Sequence, residues 1–485
     1  MSRLIKNELI KIFKKKSIYI ALVIILGYII LTNCIYKFYT PTISNYSMSE
    51  EYVNSLKREI ETLDPENPAD TSIYISLKTT LDIYEIEKKY EENSWQTYIV
   101  QTELGTIVSE KNTLEYSNEK NEQAMRDLQE RYDSIIEKLD KGDWKYFAQE
   151  DLNEVNKKIE NLQKQKENTI DKQQIEQLEI SIKEAEIEKQ ILDYRLEKDI
   201  EYGNNYLNQA LDTYSTSSQN VLRFEDKEDL NYEDKKIYNQ SIKDKEEAKY
   251  IIENKQNINK TDDLRGILIR IFNEYGLFIL VIIIMISGTI VSEEFNKGTV
   301  KLLLVRPYSR TKILLSKFIT SFIIILFTLV AVTIMQLIVG GILFGFDSLS
   351  IPVIQYDFNI QEIVSLNIFA YLGIQIIALL PFYILISTIA FACSTIFTNS
   401  ALAMTIAFLG YMSSSIINSL VASYKIDFMR FFITMNWDFT QYLFGELPLL
   451  EGMNVTFSAV VCLAYFATMM ALSIVIFKKK NIKNI

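Results

Sequence analysis

Apolar residues in this chain fall in long uninterrupted blocks, not in the short alternating runs of a soluble core. Residues 17–36 carry no charge over 20 positions, 318–346 none over 29 and 363–424 none over 62. Two further apolar blocks, 275–292 and 452–477, are of single-helix length. A helix of about 20 residues crosses a hydrocarbon core of about 30 Å, so each short block predicts one membrane span. The block 363–424 is too long for one helix and predicts two, joined by the polar turn 394–400. The pattern therefore predicts an all-α membrane protein with six transmembrane helices. Pro381 is expected to kink the fourth span. The third is longer than a bilayer needs and is expected to tilt or break near Gly340-Gly341.

Between the first two spans the pattern changes to charged, Tyr-rich and nearly free of Gly and Pro. Three-four spacing of Leu152, Val155, Ile159 and Leu162, and again of Leu178, Ile182 and Ala185, predicts two helical seams that do not share one register. Residues 167–173 are then either a stutter in one rod or the turn of a hairpin. The hairpin is preferred, because an antiparallel partner covers a seam that a lone helix leaves exposed. Other helices are predicted at 48–62, 72–92, 95–139 and 228–256, with a loop at 215–220. The chain thus divides into residues 1–40 (an amphipathic interfacial helix over 3–16 and the first span), 41–262 (a coiled-coil-like helical domain) and 263–485 (spans two to six). A lead-in helix over 264–272, capped by Asp262 or Asp263, precedes the second span. Residues 428–450 mix aromatics with isolated charges, as helices lying in or dipping into a leaflet do.

Charge adds sidedness. Residues 41–265 hold 31 Lys and Arg against 51 Asp and Glu, a net of −20, whereas the rest of the chain is basic at +9. Basic clusters flank the first span at 14–16, follow the second and close the chain at 478–480, and 347–362 has none. The positive-inside rule then puts both termini in the cytoplasm and 41–262 outside it, in a bacterial cell membrane. Nucleic acid is not an expected partner of so divided a charge; membrane lipids are. The chain has no His and its Cys34, Cys393 and Cys462 are dispersed in apolar blocks, which argues against a catalytic triad or a metal site. No Gly is followed by Lys, so a P-loop is impossible in this chain.

The stretch 292–317, SEEFNKGTVKLLLVRPYSRTKILLSK, joins the second and third spans. Ser292 can cap a short helix whose positive end suits Glu293 and Glu294, and Gly298 can end it in a left-handed turn. A second short helix from Thr299 stops before Arg306-Pro307, and a third starts near Thr311. Lys301, Arg306, Arg310, Lys312 and Lys317 are expected to be exposed. The order Glu293, Glu294, Gly298-Thr299, a Leu run, Arg306-Pro307, Ser309-Arg310 and Lys317 resembles the signature of type-2 ABC exporter permeases between their second and third membrane helices. The resemblance covers the membrane segments and not the region from about 40 to 262.

That resemblance implies a coupling helix that docks on a separate ABC ATPase subunit, with Glu293, Glu294, Gly298, Thr299, Lys301, Leu303, Arg306, Pro307 and Arg310 as contacts. It implies no catalytic residue or cofactor here, ATP and Mg being bound by the partner. It also implies a dimer with a second copy or a homologous permease, and helices dipping into the outer leaflet at 428–450. The function it implies is export of an amphiphilic or hydrophobic compound, such as an antimicrobial peptide, an antibiotic or a lipid-like molecule. Tyr371, Tyr383, Phe408, Tyr411 and Tyr465 are candidates for its path, though aromatics at such positions are more often packing. The near absence of ionisable residues in the spans argues against ion-driven transport. Two other functions fit: a mechanotransmitting ABC permease that moves its outside domain without transport, and a membrane-anchored adhesion or secretion scaffold.

Overall fold

The computed structural model describes residues 1–39, 49–116, 121–225, 227, 229–300, 308–424 and 426–480, and forms two compact units. One unit combines Met1–Thr40 with Ile258–Ile485; the other is Pro41–Asn257.

Among the described residues of the first unit, six helices are long and apolar enough to cross a membrane: Lys16–Phe38, Ile271–Thr289, Arg310–Phe344, Ile368–Phe397, Ser400–Tyr424 and Val455–Lys479. The second of these spans is the axis. It is 61% enclosed by protein against 17% for the fifth, and it touches the first, third, fourth and fifth. Ile279, Leu280, Ile283 and Ile286 pack there with Ile25, Leu329, Tyr383 and Ile386. Asp263 caps the lead-in helix Leu264–Ile269 by accepting from the Gly266 amide at 2.7 Å.

Lipid offers no hydrogen bonds, so polar side chains between these helices pair with one another. Asn33 and Gln336 exchange two bonds of 2.9 Å, and Tyr275 donates to Gln336 at 3.0 Å. This network clamps spans one, two and three. Ser287 and Ser387, 2.7 Å apart, tie the second span to the fourth.

Of the tilt or break expected in the third span the break does not occur, and other details of this unit follow from contacts that the sequence pattern does not show. The third span runs unbroken through Gly340-Gly341 to Phe344. These glycines serve close approach, since a Cβ on Gly340 would lie 2.6 Å from Leu264 and one on Gly341 2.2 Å from Phe346. Residues 347–366 form a 3-10 turn and an antiparallel hairpin, Val353–Asp357 with Glu362–Leu366, so the fold is not purely helical. The β-branched run Ile363-Val364 belongs to that hairpin, and the fourth span starts at Ile368, capped by Asn367. It continues through Pro381. The region 428–450 holds only short turns of helix, Asp427–Phe431, Ile433–Asn436 and Phe439–Gly445.

The second unit is helical. Trp144–Asn168 and Lys172–Glu197 form the hairpin and not the rod, with Lys158–Glu188 and Lys166–Glu179 ion pairs joining antiparallel partners. Gly142 ends the preceding helix at φ 74°. The helix expected over 95–139 is two, one reaching Tyr116 and one at Glu122–Lys141, because Asn121 caps a new start. The first contains a π-helical turn at Val100–Leu104. The loop expected at 215–220 lies inside the helix Tyr206–Glu225. Ser217 and Ser218 are buried there; small hydroxyl residues, read as loop formers, let this helix close on Tyr232–Asn254.

The amide pair yields a prediction. Gln336→Leu removes the donor to the buried Asn33 Oδ1, while Asn33 Nδ2 keeps its bond to the Ile29 carbonyl, and should lower stability in detergent by about 1–2 kcal/mol. The double variant Asn33→Leu/Gln336→Leu should recover part of that loss, measured by thermal unfolding. Losses that simply add would show that the two side chains do not interact.

Candidate functional site

The N-terminal helix, Ser2–Phe13, places Leu4, Glu8 and Ile12 on one face, four residues apart, and all three are buried. That face packs on the third span, where Phe13 meets Phe327 edge to ring at 5.1 Å between centroids. Protein thus covers part of the apolar face of the amphipathic helix expected over 3–16. Glu8 is an acid on an apolar stripe and needs a buried cation.

Lys317 supplies it. It lies two turns inside the third span with its side chain 2% exposed, and donates to Glu8 at 2.8 Å and to Glu294 at 3.1 Å. Glu294, in the short helix Ser292–Asn296, also accepts from Lys11 at 2.8 Å and from the Thr299 hydroxyl. Glu293 beside it pairs with Lys15 and, at 2.6 Å, with Lys297. Three carboxylates and four ammonium groups thus join the N-terminal helix, the end of the second span and the start of the third. They line a cleft of about 470 Å³, together with Lys14, Ile12 and Ile290. Burial pushes the Glu294 carboxyl upward, but Lys317 and the hydrogen bonds from Lys11 and Thr299 outweigh it and hold the group at about 2. Burial acts on Glu293 in the same direction and is likewise outweighed, by Lys15 and Lys297, so its pKa is lowered.

The connection is also stapled to the other spans. Ser292 does not cap its helix. Its hydroxyl bonds Gly288 and Ser400, and its amide donates to Ser394 at 2.9 Å. Gly298 is left-handed at φ 66°, as the sequence requires. Phe295 packs edge-on against Phe477, with the Lys480 ammonium 5.1 Å from its ring. Arg310 donates to the Lys478 and Lys480 carbonyls at 2.8 and 3.1 Å, capping the sixth span. Lys480 in turn bonds the Thr395 and Ile396 carbonyls at the end of the fourth.

The structure therefore gathers Glu293, Glu294, Gly298, Thr299 and Arg310 at one end of the helix bundle. Lys301, Leu303, Arg306 and Pro307 lie outside the described residues. Lys317, expected to be exposed, is buried, while Lys312 is exposed. The path candidates do not surround the cleft. Tyr371 and Tyr383 are buried in the fourth span, and Phe408 and Tyr411 are half-buried on the fifth. The Phe382 ring lies 4.9 Å from Tyr383 and 5.9 Å from Tyr411, and the Tyr465 hydroxyl bonds the Phe431 carbonyl at 3.3 Å. Glu8, Lys11 and Lys15 were missed by sequence reasoning. The signals were an acid on the stripe Leu4–Glu8–Ile12 and a lysine two turns inside an apolar run.

Six such helices define a multi-pass membrane protein. Residues 237–483, just over half of the chain and including spans two to six, match the family described as "Protein of unknown function (DUF2705)", and the chain belongs to it. It is 32% identical over 209 residues to "Uncharacterized protein YhcI" of Bacillus subtilis, covering 43% of this chain and 65% of that protein. It is 31% identical over 175 residues to "Uncharacterized membrane protein YdbK" of the same organism, covering 36% of this chain and 66% of that one. The chain thus spans a little under two thirds of each relative's length. No solved structure matches.

The depressed Glu294 gives a pH prediction. Its folded pKa of about 2 lies below the ordinary 4.5, so its contribution is complete above about pH 4.5 and is lost as the pH falls toward about 2. The stability gap between wild type and Glu294→Gln, by thermal unfolding in detergent, should be widest near pH 6 and narrow by about pH 3. A gap that stays constant across that range contradicts the ion cluster.

Proposed function

We propose that the chain is the transmembrane permease subunit of an ATP-driven exporter of the type-2 ABC kind, with ATP and Mg held by a separate ATPase. The observation that carries this reading is the connection between the second and third spans. It bears the resembled residue order, and Glu293, Glu294, Gly298, Thr299 and Arg310 gather at one end of the bundle. Lys14–Lys16, Lys297, Lys312 and Lys478–Lys480 belong to the same end of the spans, whereas Asp347, Asp357, Glu362 and Asp438 belong to the other. By the positive-inside rule the connection and both chain ends face the cytoplasm of a bacterial cell, and residues 41–262 lie outside as a coiled-coil-like helical domain. An uncharged fifth span, the least enclosed of the six, leaves a face free for a second copy or a homologous permease. The cargo is an amphiphilic or apolar compound, and hydrolysis belongs to the partner and not to this chain.

One observation favours the scaffold reading instead. Glu293 and Glu294 are occupied by Lys11, Lys15, Lys297 and Lys317 of the chain itself, so these acids serve internal packing whether or not anything docks. Reversing them would disturb folding in either case and would discriminate nothing. The test uses Arg306→Ala and Lys312→Ala. A tagged chain purified from its own cells should bring down an ABC ATPase, and both variants should reach the membrane while retaining several-fold less of it, since each lost interface anchor is worth about 1 kcal/mol or more. Wild-type chain that brings down no ATPase, or variants that retain it fully, would favour the scaffold.

A further inference from the structure

The unit Pro41–Asn257 contains a cleft of about 490 Å³ that the export reading does not use. Its walls include the rings of Tyr84, Tyr90 and Tyr98 and the carboxylates of Glu87, Glu92 and Asp212. Lys88 is the single cation among its lining residues. We propose that this cleft binds an organic cation, the alkylammonium or guanidinium group of a basic peptide, between tyrosine faces and unpaired carboxylates.

Some carboxylates of this unit are paired with lysines, among them Glu85 with Lys57, Glu137 with Lys141, Glu179 with Lys166 and Glu188 with Lys158. Among the described residues, Glu87, Glu92 and Asp212 make no ion pair. Glu87 is half-buried, and burial raises its pKa against the opposing Gln101 hydrogen bond. A carboxylate partly removed from water gains from a ligand that brings a cation. Tyrosine rings attract the same group through their negative faces, and carboxylates together with aromatic faces select a cation over a neutral apolar guest.

The walls are held in place before any ligand arrives. The Tyr90 hydroxyl donates to Asp140 at 3.0 Å. Tyr98 stacks on Tyr202 with centroids 5.5 Å apart and planes 16° from parallel. Tyr202 is buried, donates to Asp151 at 2.5 Å and lies under the Arg195 guanidinium at 4.0 Å. At the rim Gly203 has φ 124° and a Cβ there would sit 3.5 Å from the Asn93 carbonyl, so two turns meet closely. Rings fixed in this way lose little freedom on binding, which favours affinity.

The test uses the full chain in detergent and a fluorescent tri-lysine amide, with the Nε-acetylated peptide as neutral control, read by anisotropy. The amine form should bind and the acetylated form should not. Tyr84→Leu and the pair Glu87→Gln/Asp212→Asn should each weaken binding about fivefold to tenfold, in the range of one cation–π or charge contact. Tyr84→Phe, which keeps the ring, should bind as wild type does. The pair Glu176→Gln/Glu186→Gln removes the same charge from an exposed helix outside the cleft and should change binding less than about twofold. Equal weakening by the two charge pairs, or indifference to Tyr84→Leu, would show diffuse attraction to an acidic surface and overturn the site. Binding of the acetylated peptide, or of neither peptide, would overturn it too.

Discussion

Lys317 is an ammonium two turns inside an apolar helix with almost no exposure, and a charge buried in this way is costly unless carboxylates meet it there. Two of them do, and they come from distant places in the chain. Glu8 arrives on the N-terminal helix and Glu294 on the short helix after the second span. One buried cation therefore fixes where three segments end. Removing either acid leaves part of a charge uncompensated, which is why the local arrangement is more tightly specified than its surface ion pairs alone would make it.

The opposite half of the bundle solves the same problem without charge. Asn33, Gln336 and Tyr275 join the first three spans through reciprocal amide and hydroxyl bonds. Span three is thus held twice, by ions to the N-terminal helix near one end and by amides to span one near the other, around the second span, which the first and third both contact. Conformational change in this bundle has to move against both clamps or carry them along. The N-terminal helix, bonded through Glu8 and Lys11 to Lys317 and Glu294, is then mechanically part of the connection between the second and third spans.

The six spans were legible because apolar blocks longer than a soluble core allows have few other solutions. The hairpin of 144–197 was legible because each seam needs a cover that a lone rod does not supply and an antiparallel partner does. What escaped the sequence depends on contacts across long separations. Nothing local distinguishes Gly340-Gly341 as close-approach residues from a helix break; Leu264 and Phe346 decide it. Ser215 to Ser218 look like a loop until the helix Tyr232–Asn254 packs on them. The acidic pair Glu293 and Glu294 was legible as important, but Lys11 and Lys15 come from 283 and 278 residues away, and Lys317 is buried two turns inside the third span. Sequence pattern alone assigns such charges to solvent.

The ion cluster requires the N-terminal helix, the connection and the start of the third span to share one face of the membrane. In a chain with Cys34, Cys393 and Cys462 replaced, single cysteines at the exposed positions Lys14, Lys297 and Lys312 can be probed with an impermeant maleimide. All three should be shielded in intact cells and labelled together after permeabilisation. Labelling of any one of them in intact cells would contradict the shared face and the ion cluster that defines it.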